Sequence, residues 1–289
     1  MADTTFITVF DSQRGIERVL FSLADYSAKH AGCIDGWRWP DAGTAATDRF
    51  PRGRGVLLWQ AKLISVPPVR LFDWVAIKAT EGRILYEATT TSGRTLELQR
   101  SGTPVWGWGY VYGGSEEYAK IEAQVAAAAI LRNGFAGWLI DAEQQYKVPE
   151  AKRWATAYMA ELRRLLPELP VGLCSYRYPR LHPEFPWKEF VSGCDFHAPQ
   201  LYWLLTTSDG APGQQLEKSV SQLENEKKMP VVPIGIACYD PTTEWQPSLA
   251  QMRNFVLSAH RMGLPGYGWW EWAQAASNPL LWNEIVSLQ

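Results

Sequence analysis

The segment GWLIDAEQQY at 137–146 carries the residues with the most chemical potential in the chain. An apolar run ends there in Asp141 and Glu143, two positions apart. Side chains of a strand alternate with period two, so both carboxylates point to one side, roughly 6–7 Å from each other. Placed on one face at the end of an apolar strand, they repel each other and lose solvation. One then stays ionised more easily and the other is pushed toward its protonated form. An acid and an anion beside the same bond are what glycoside hydrolysis needs. In an apolar, Trp-lined groove Glu143 is expected to titrate high and Asp141 low. An Asp-x-Glu also ends many ordinary strands, so its meaning depends on what else the chain brings to the same place.

The elements that must position this pair follow from hydrophobic periodicity. Strand-like runs occur at 55–60 (GVLLWQ), 73–79 (DWVAIKA), 105–112 (VWGWGYVY), 137–141 (GWLID), 171–175 (VGLCS), 196–203 (FHAPQLYW), 231–237 (VVPIGIA) and 266–271 (GYGWWE). Helical patterns lie between them at 115–133, 149–166, 186–192, 214–228 and 248–262. Ser115 with acidic residues after it opens one helix and Gly134 follows its end, while Pro247-Ser248 and Gly263 bracket another. The first two crossovers, 61–72 and 80–104, are poor helices: Pro67-Pro68 interrupts one, and only 94–100 reads as helical in the other. Eight strands alternating with helices over 54–289 predict an α/β fold of the (β/α)8 barrel type. An open doubly wound sheet is the alternative, but no Gly-rich phosphate loop follows any strand, and GYVYGG lacks the phosphate-binding Lys. Residues 1–53 read as an N-terminal arm packed on the barrel: a short strand over 5–10, an amphipathic helix over 14–29, and a Gly/Pro-rich loop over 31–55.

In such a barrel the chemistry sits at the C-terminal strand ends. Those ends offer Trp59 and Gln60; Lys78, Thr80 and Glu81; Trp108, Tyr110 and Tyr112; Asp141 and Glu143; Ser175 and Tyr176; Gln200, Tyr202 and Trp203; Tyr239 and Asp240; and Glu271 and Trp272. The chain has 15 Trp, an unusual number. Indole faces grip the apolar faces of sugar rings as well as filling cores. Trp269 and Trp270 must point to opposite sides of their strand, and the expectation is that Trp270 and Trp272 face inward, where Gly266 and Gly268 leave room.

Several classes are disfavoured. The net charge of −2 argues against a nucleic-acid or anionic-membrane surface, and no apolar run approaches membrane-spanning length. Four Cys without a CxxC and four scattered His give no metal-ligand spacing, so neither metal nor cofactor is expected, and the Cys read as reduced, buried residues. The segment MADTTFITVF has the form of no secretory signal. The expectation is a protein cytoplasmic at synthesis, with export by a non-classical route or incorporation into a phage particle left open.

IKATEG at 77–82 resembles the second strand of family 25 glycoside hydrolases, the lysozyme-like muramidases. GWLIDAE resembles their fourth-strand Asp-x-Glu, and WGWGYVY their aromatic third strand. The Asp-x-Glu strand, the APQLYW sixth strand and the Trp-rich GYGWWEW eighth strand are also similar to family 18 chitinase-like barrels. The likeness spans 55–273 in short pieces. Two departures stand out. Family 25 opens with an Asp on the first strand, whereas GVLLWQ has none and the nearest Gly-hydrophobic-Asp pattern is GCIDGW, with Asp35. Family 18 carries further Asp residues ahead of the Asp-x-Glu, where this chain has Trp138, Leu139 and Ile140.

The resemblance implies hydrolysis of an N-acetylated glycan such as peptidoglycan or a chitin-like chain. Glu143 would protonate the glycosidic oxygen, Asp141 would orient the acetamido group whose carbonyl oxygen attacks the anomeric carbon, and Tyr202 would donate to that oxygen. The implied substrate-binding set is Tyr202, Gln200, Trp203, Lys78, Glu81, Trp108, Tyr110, Tyr112, Asp240, Glu271 and Trp272. The missing first-strand Asp and the N-terminal arm motivate a second reading, an inactive glycan-binding or structural barrel in a phage tail, secretion machine or cell-envelope assembly, with the arm as the surface for an assembly partner. A third reading uses Lys78 and Glu81 with Asp141 in a barrel enzyme of another class, with Lys78 as a Schiff-base nucleophile. Against it stands a plain ion pair of Lys78 with Glu81, Glu143 or Asp141.

Overall fold

The computed structural model describes residues 5–11, 15–21, 49–61, 70–86 and 88–288. Eight parallel strands close on themselves: β3 (Gly53–Leu58), β4 (Trp74–Glu81), β6 (Val105–Val111), β7 (Trp138–Ala142), β8 (Val171–Tyr176), β9 (Phe196–Gln200), β10 (Ile234–Ile236) and β11 (Gly266–Trp270), with β11 pairing back onto β3. The chain is a (β/α)8 barrel. Each expected strand is present. A short β5 (Ile84–Leu85) folds back antiparallel on the end of β4.

The crossovers are α1 (Ala88–Arg100), α2 (Glu116–Asn133), α3 (Ala151–Leu165), α4 (Trp187–Ser192), α5 (Ala211–Glu226) and α6 (Leu249–Arg261), followed by α7 (Trp272–Ala276) and α8 (Pro279–Ser287). Their ends carry the expected caps. Ser115 accepts the Tyr118 N–H at 3.0 Å, and Gly134 closes α2 in the left-handed region at φ 61°. Ser248 and Gln251 form a reciprocal capping box on α6. α1 is longer than the expected 94–100. α7 and α8 were not anticipated, although Glu271 and Asn278 cap them in the ordinary way.

At the N-terminus the expected strand over 5–10 is present as β1 (Thr5–Asp11), but the expected helix over 14–29 is not what its first half forms. β2 (Gly15–Phe21) pairs antiparallel with β1, Ile7 opposite Val19 and Val9 opposite Glu17. The apolar spacing fits a helix, yet Ile16 and Val19 are β-branched and the facing TFITVF is rich in β-formers, so a hairpin satisfies both segments. Residues 22–48, with Cys33 and Asp35, and Pro67-Pro68 lie outside the described residues.

Strand alternation divides the core in two. Val56, Leu58, Val75, Ile77, Trp138, Ile140 and Trp269 point outward under the helices. Leu57, Trp74, Ala76, Trp106, Trp108, Leu139, Cys174, Phe196 and Ala198 point into the barrel. At the N-terminal end of the lumen Trp74, Trp106 and Phe196 fill the space, with Trp106 and Phe196 edge-to-face at 5.6 Å. Glycines make room for them. A Cβ on Gly55 would stand 1.9 Å from the Trp74 ring, one on Gly137 2.1 Å from Trp106, and one on Gly172 2.3 Å from Phe196. With that end plugged by aromatic rings, the middle layer of smaller side chains leaves its opening at the C-terminal end.

Candidate active site

At that C-terminal end the register sets Tyr110, Asp141 and Cys174 abreast on β6, β7 and β8, while Tyr176 on β8 pairs with Gln200 on β9. Glu143 stands one residue past β7 and starts a one-turn 3-10 helix, Gln144–Tyr146. One amide ties the pair together. Gln200 Nε2 donates to Asp141 Oδ1 at 2.9 Å and to Glu143 Oε1 at 2.7 Å. An amide nitrogen has two protons, and each finds a carboxylate. The expected common face of Asp141 and Glu143 is therefore real, and Gln200 joins it.

Among the described residues no Lys, Arg or His forms a salt bridge with either carboxylate. Asp141 is 8% exposed. Burial, then the charge of Glu143 and a hydrogen bond with it, push its carboxyl well above the usual carboxylate range, with Lys78 pulling weakly the other way. This corrects the expectation that Asp141 titrates low. Asp141 is the deeper of the two and faces a neutral amide, so it is the better place for a proton at rest.

A cavity of about 130 Å3 opens over the pair, lined by Leu57, Trp108, Leu139, Cys174, Gln200, Tyr202 and Trp270 besides Asp141 and Glu143. Pockets for whole drug-sized ligands run to ~300–1,000 Å3. This one has room for a single substituent at its floor, with any larger body lying across the mouth. The walls are aromatic. Trp270 packs against Trp108 at 5.6 Å, Trp59 at 6.2 Å and Tyr202 at 6.4 Å between ring centroids, and Trp59 is 41% exposed at the mouth. The Trp108 indole N–H is spent on the Leu58 carbonyl at 3.2 Å. Burial pushes the Tyr202 phenol well up, so it keeps its proton as a donor. Burial and then the charges of Glu143 and Asp141 raise Tyr110, whose hydroxyl donates to the Gln145 side chain.

A second carboxylate set occupies the neighbouring rim. An irregularity in β4 between Lys78 and Thr80 shifts the register, which brings Glu81 onto the face of Lys78 despite their odd spacing. Lys78 and Glu81 form an ion pair, and the Tyr112 hydroxyl donates to Glu81. Hydrogen bonding to Glu81, with burial, pushes the Tyr112 phenol up to about 12. The Lys78 ammonium, 6% exposed, lies 5.0–5.3 Å from the ring centres of Trp108, Tyr86 and Trp59. The ammonium is thus taken up by Glu81 and three aromatic faces, so the plain ion pair fits better than a Schiff-base nucleophile.

Four expected site residues stand elsewhere. Trp203 is fully buried under the helices against Phe255 and Trp269. Trp272 packs with Phe72 and Trp282, so of the pair expected inward only Trp270 lines the pocket. In both cases alternation was carried past the end of the strand: β9 stops at Gln200, and β11 stops at Trp270, passing through a cis Trp270–Glu271 peptide into α7. Glu271 is buried and caps α7, accepting the Ala273 and Gln274 N–H groups at 3.1 and 2.7 Å. Asp240 is taken up by its own turn, accepting from the Thr242 N–H and the Thr243 hydroxyl. Cys174 lines the pocket unannounced by the residue-type argument. Its inward parity beside Asp141 on a strand whose placement was right was the available signal.

No family model matches the sequence and no curated protein matches it. Solved structures do. The glycoside hydrolase domain of PgaB (BpsB) from Bordetella bronchiseptica is 13% identical, covers 83% of this chain and 100% of its own, and superposes with a TM-score of 0.60. A family 18 chitinase from Cycas revoluta, solved with allosamidin, is 14% identical over 81% of this chain and 99% of its own, TM-score 0.60. The spore cortex-lytic enzyme SleL of Bacillus megaterium is 8% identical over 84% of this chain and 76% of its own, TM-score 0.58. The likeness is one of fold. No helix among the described residues is long and apolar enough to cross a membrane.

Proposed function

We propose that the chain is a glycoside hydrolase acting on an N-acetylated glycan, with Glu143 as general acid and Asp141 as the group that holds the acetamido substituent. The observation that carries this reading is the pair of carboxylates bridged by Gln200 at the open end of the barrel, with no salt-bridge partner among the described residues. The names of the fold neighbours support it: a glycoside hydrolase domain, family 18 chitinases and a cortex-lytic enzyme. Of the two families the sequence resembles, family 18 is represented among the neighbours by name.

The chemistry follows from the shared proton. Burial and the neighbouring charge of Glu143 favour a proton on Asp141. A bound acetamido N–H donating to Asp141 would stabilise the aspartate anion and move the proton to Glu143, beside the glycosidic oxygen. Glu143 then protonates that oxygen as the bond to the anomeric carbon breaks. The acetamido carbonyl oxygen forms a bond to the anomeric carbon from the other side, and Asp141 takes up the N–H proton's partial charge. Water later opens the cyclic intermediate, with Glu143 receiving the water's proton. Tyr202 donates toward the acetamido oxygen, and Trp270, Trp108 and Trp59 carry the sugar faces. Residues 54–289 form the catalytic unit in this reading, and 1–53 an arm available to an assembly partner.

A binding-only barrel is favoured by one observation: Leu139, not a carboxylate, occupies the inward position before Asp141. The readings separate on peptidoglycan and chitin oligomers, with turnover and affinity measured on the same glycan. Glu143→Gln is expected to lower the rate roughly 10²–10⁴-fold with affinity retained. A parent protein that binds either glycan without turning it over would replace the enzyme reading with the binding module.

A further inference from the structure

Next to Glu143 lies a group of basic and aromatic side chains that the proposed reaction does not use. Lys147 follows the turn Gln144–Tyr146, four residues after Glu143. Tyr176 ends β8 in register with Gln200, the residue that hydrogen-bonds Glu143. Its ring stacks on His182 at 3.8 Å, and the Lys147 ammonium lies 4.3 Å from its centroid. Burial and then the charge of Glu143 raise the Tyr176 phenol to about 12, which places it within the field of the catalytic carboxylate and keeps it a donor.

Lys147 Nζ stands 2.7 Å from His182 Nδ1. An ammonium can only donate, so Nδ1 accepts and the imidazole proton sits on Nε2. No described residue hydrogen-bonds that Nε2. The one acidic partner of Lys147 among the described residues is Glu184, 3.5 Å away with its side chain 44% exposed, a weak and solvent-screened pair. A cation, an imidazole N–H and a tyrosine thus cluster at the C-terminal end of β8, beside the strand that carries Gln200, and the ion-pair partner of Lys147 among the described residues is a half-exposed surface carboxylate.

We propose that Lys147, His182 and Tyr176 form a subsite for a carboxylate carried by the glycan. The substrate class is then an N-acetylated glycan with acidic substituents, such as peptidoglycan strands with free lactyl carboxylates, in preference to neutral chitin. This rests on the glycosidase reading, and its test is built to fail separately. The probes are peptidoglycan glycan strands freed of stem peptides, the same strands with carboxylates converted to methylamides, and chitin oligomers.

The parent is expected to favour the carboxylated strands over the amidated ones by about tenfold or more at low salt, and less at high salt, as a charge-assisted contact requires. Lys147→Met is expected to erase that ratio while leaving chitin turnover unchanged, and Lys147→Arg to keep most of it. A cluster that merely pins the 177–185 loop would slow all three substrates equally in Lys147→Met, and that result, or an unchanged ratio, overturns the subsite. Affinity for the carboxylated and amidated strands is measured in parallel. If nothing is cleaved, the glycosidase reading falls while the subsite stands or falls on the binding ratio alone.

Discussion

The two ends of the barrel treat acidic groups in opposite ways. At the N-terminal end Asp195 precedes β9 and accepts from Arg49 Nε at 2.6 Å, Arg163 Nη2 at 2.8 Å and the Val171 N–H at 2.9 Å. Burial pushes its pKa up, but those donors outweigh it and hold the carboxyl below the usual range. At the C-terminal end Asp141 and Glu143 share one neutral amide, and Asp141 is held high. The first arrangement is a fully satisfied anion that joins the chain before β3 to α3 and β8. The second is a pair with no salt-bridge partner among the described residues, joined by one amide between β7 and β9 within the aromatic walls. An anion matched by cations adds stability, whereas a pair left to share a proton is available for proton transfer. Among the described residues aromatic rings fill the lumen at the first end, and the pocket lies at the second.

Asp141→Asn should give the largest change that contrasts the ends. The amide still accepts a hydrogen bond from an acetamido group but cannot carry the negative charge, so the rate is expected to fall roughly 10–100-fold. Stability near neutral pH should rise, since a buried carboxylate is removed. Chemical denaturation beside initial rates checks both. An equal loss of rate and stability would place Asp141 with Asp195 as a structural anion.

Asp195→Asn should do the reverse. It leaves Arg49 and Arg163 partly unmatched and is expected to cost about 1–3 kcal/mol with the rate constant unchanged. A drop in rate at temperatures where the variant stays folded would blur the division between the two ends.

Glu122 sharpens the contrast with a smaller effect. It is buried on α2 and accepts the Tyr112 and Gly113 N–H groups at 2.9 and 3.1 Å, and burial raises it to about 7. Its folded pKa lies above its unfolded one, so its stabilisation is complete below about pH 4.5 and is lost as pH rises through 7. At most about 3 kcal/mol is involved, and Glu122→Gln should flatten that part of the profile. Asp141 has the same sign and Asp195 the opposite one, being stabilising above its unfolded pKa and less so as pH falls. A raised carboxyl is thus not by itself a site: Glu122 is engaged by the Tyr112 and Gly113 backbone N–H groups.

Much of this was legible in the sequence, for identifiable reasons. The barrel strands are apolar runs bounded by Gly, Pro and polar residues, and α2 and α6 carry their caps in the sequence. Asp141 and Glu143 share a face because the two-residue alternation of β7 persists one residue past its end, where the Gln200 amide meets both. What was missed lies where an element ends. Trp203 and Trp272 were assigned by an alternation that stops at Gln200 and Trp270. Glu271 reads as a rim acid until α7 is recognised behind it. The pairing of Lys78 with Glu81 depends on a register shift that no propensity reveals. The direction of the Asp141 pKa depended on depth and on the identity of its donor, and both are properties of packing.

The most direct test of the central claim is the configuration of the first product, read by ¹H NMR in the opening minutes of cleavage of a β-linked N-acetylglucosamine oligomer. With Glu143 as acid and the acetamido group as nucleophile steered by Asp141, the β-anomer forms first. An initial α-anomer would mean that water attacks directly with Asp141 as base, and would contradict the assigned roles.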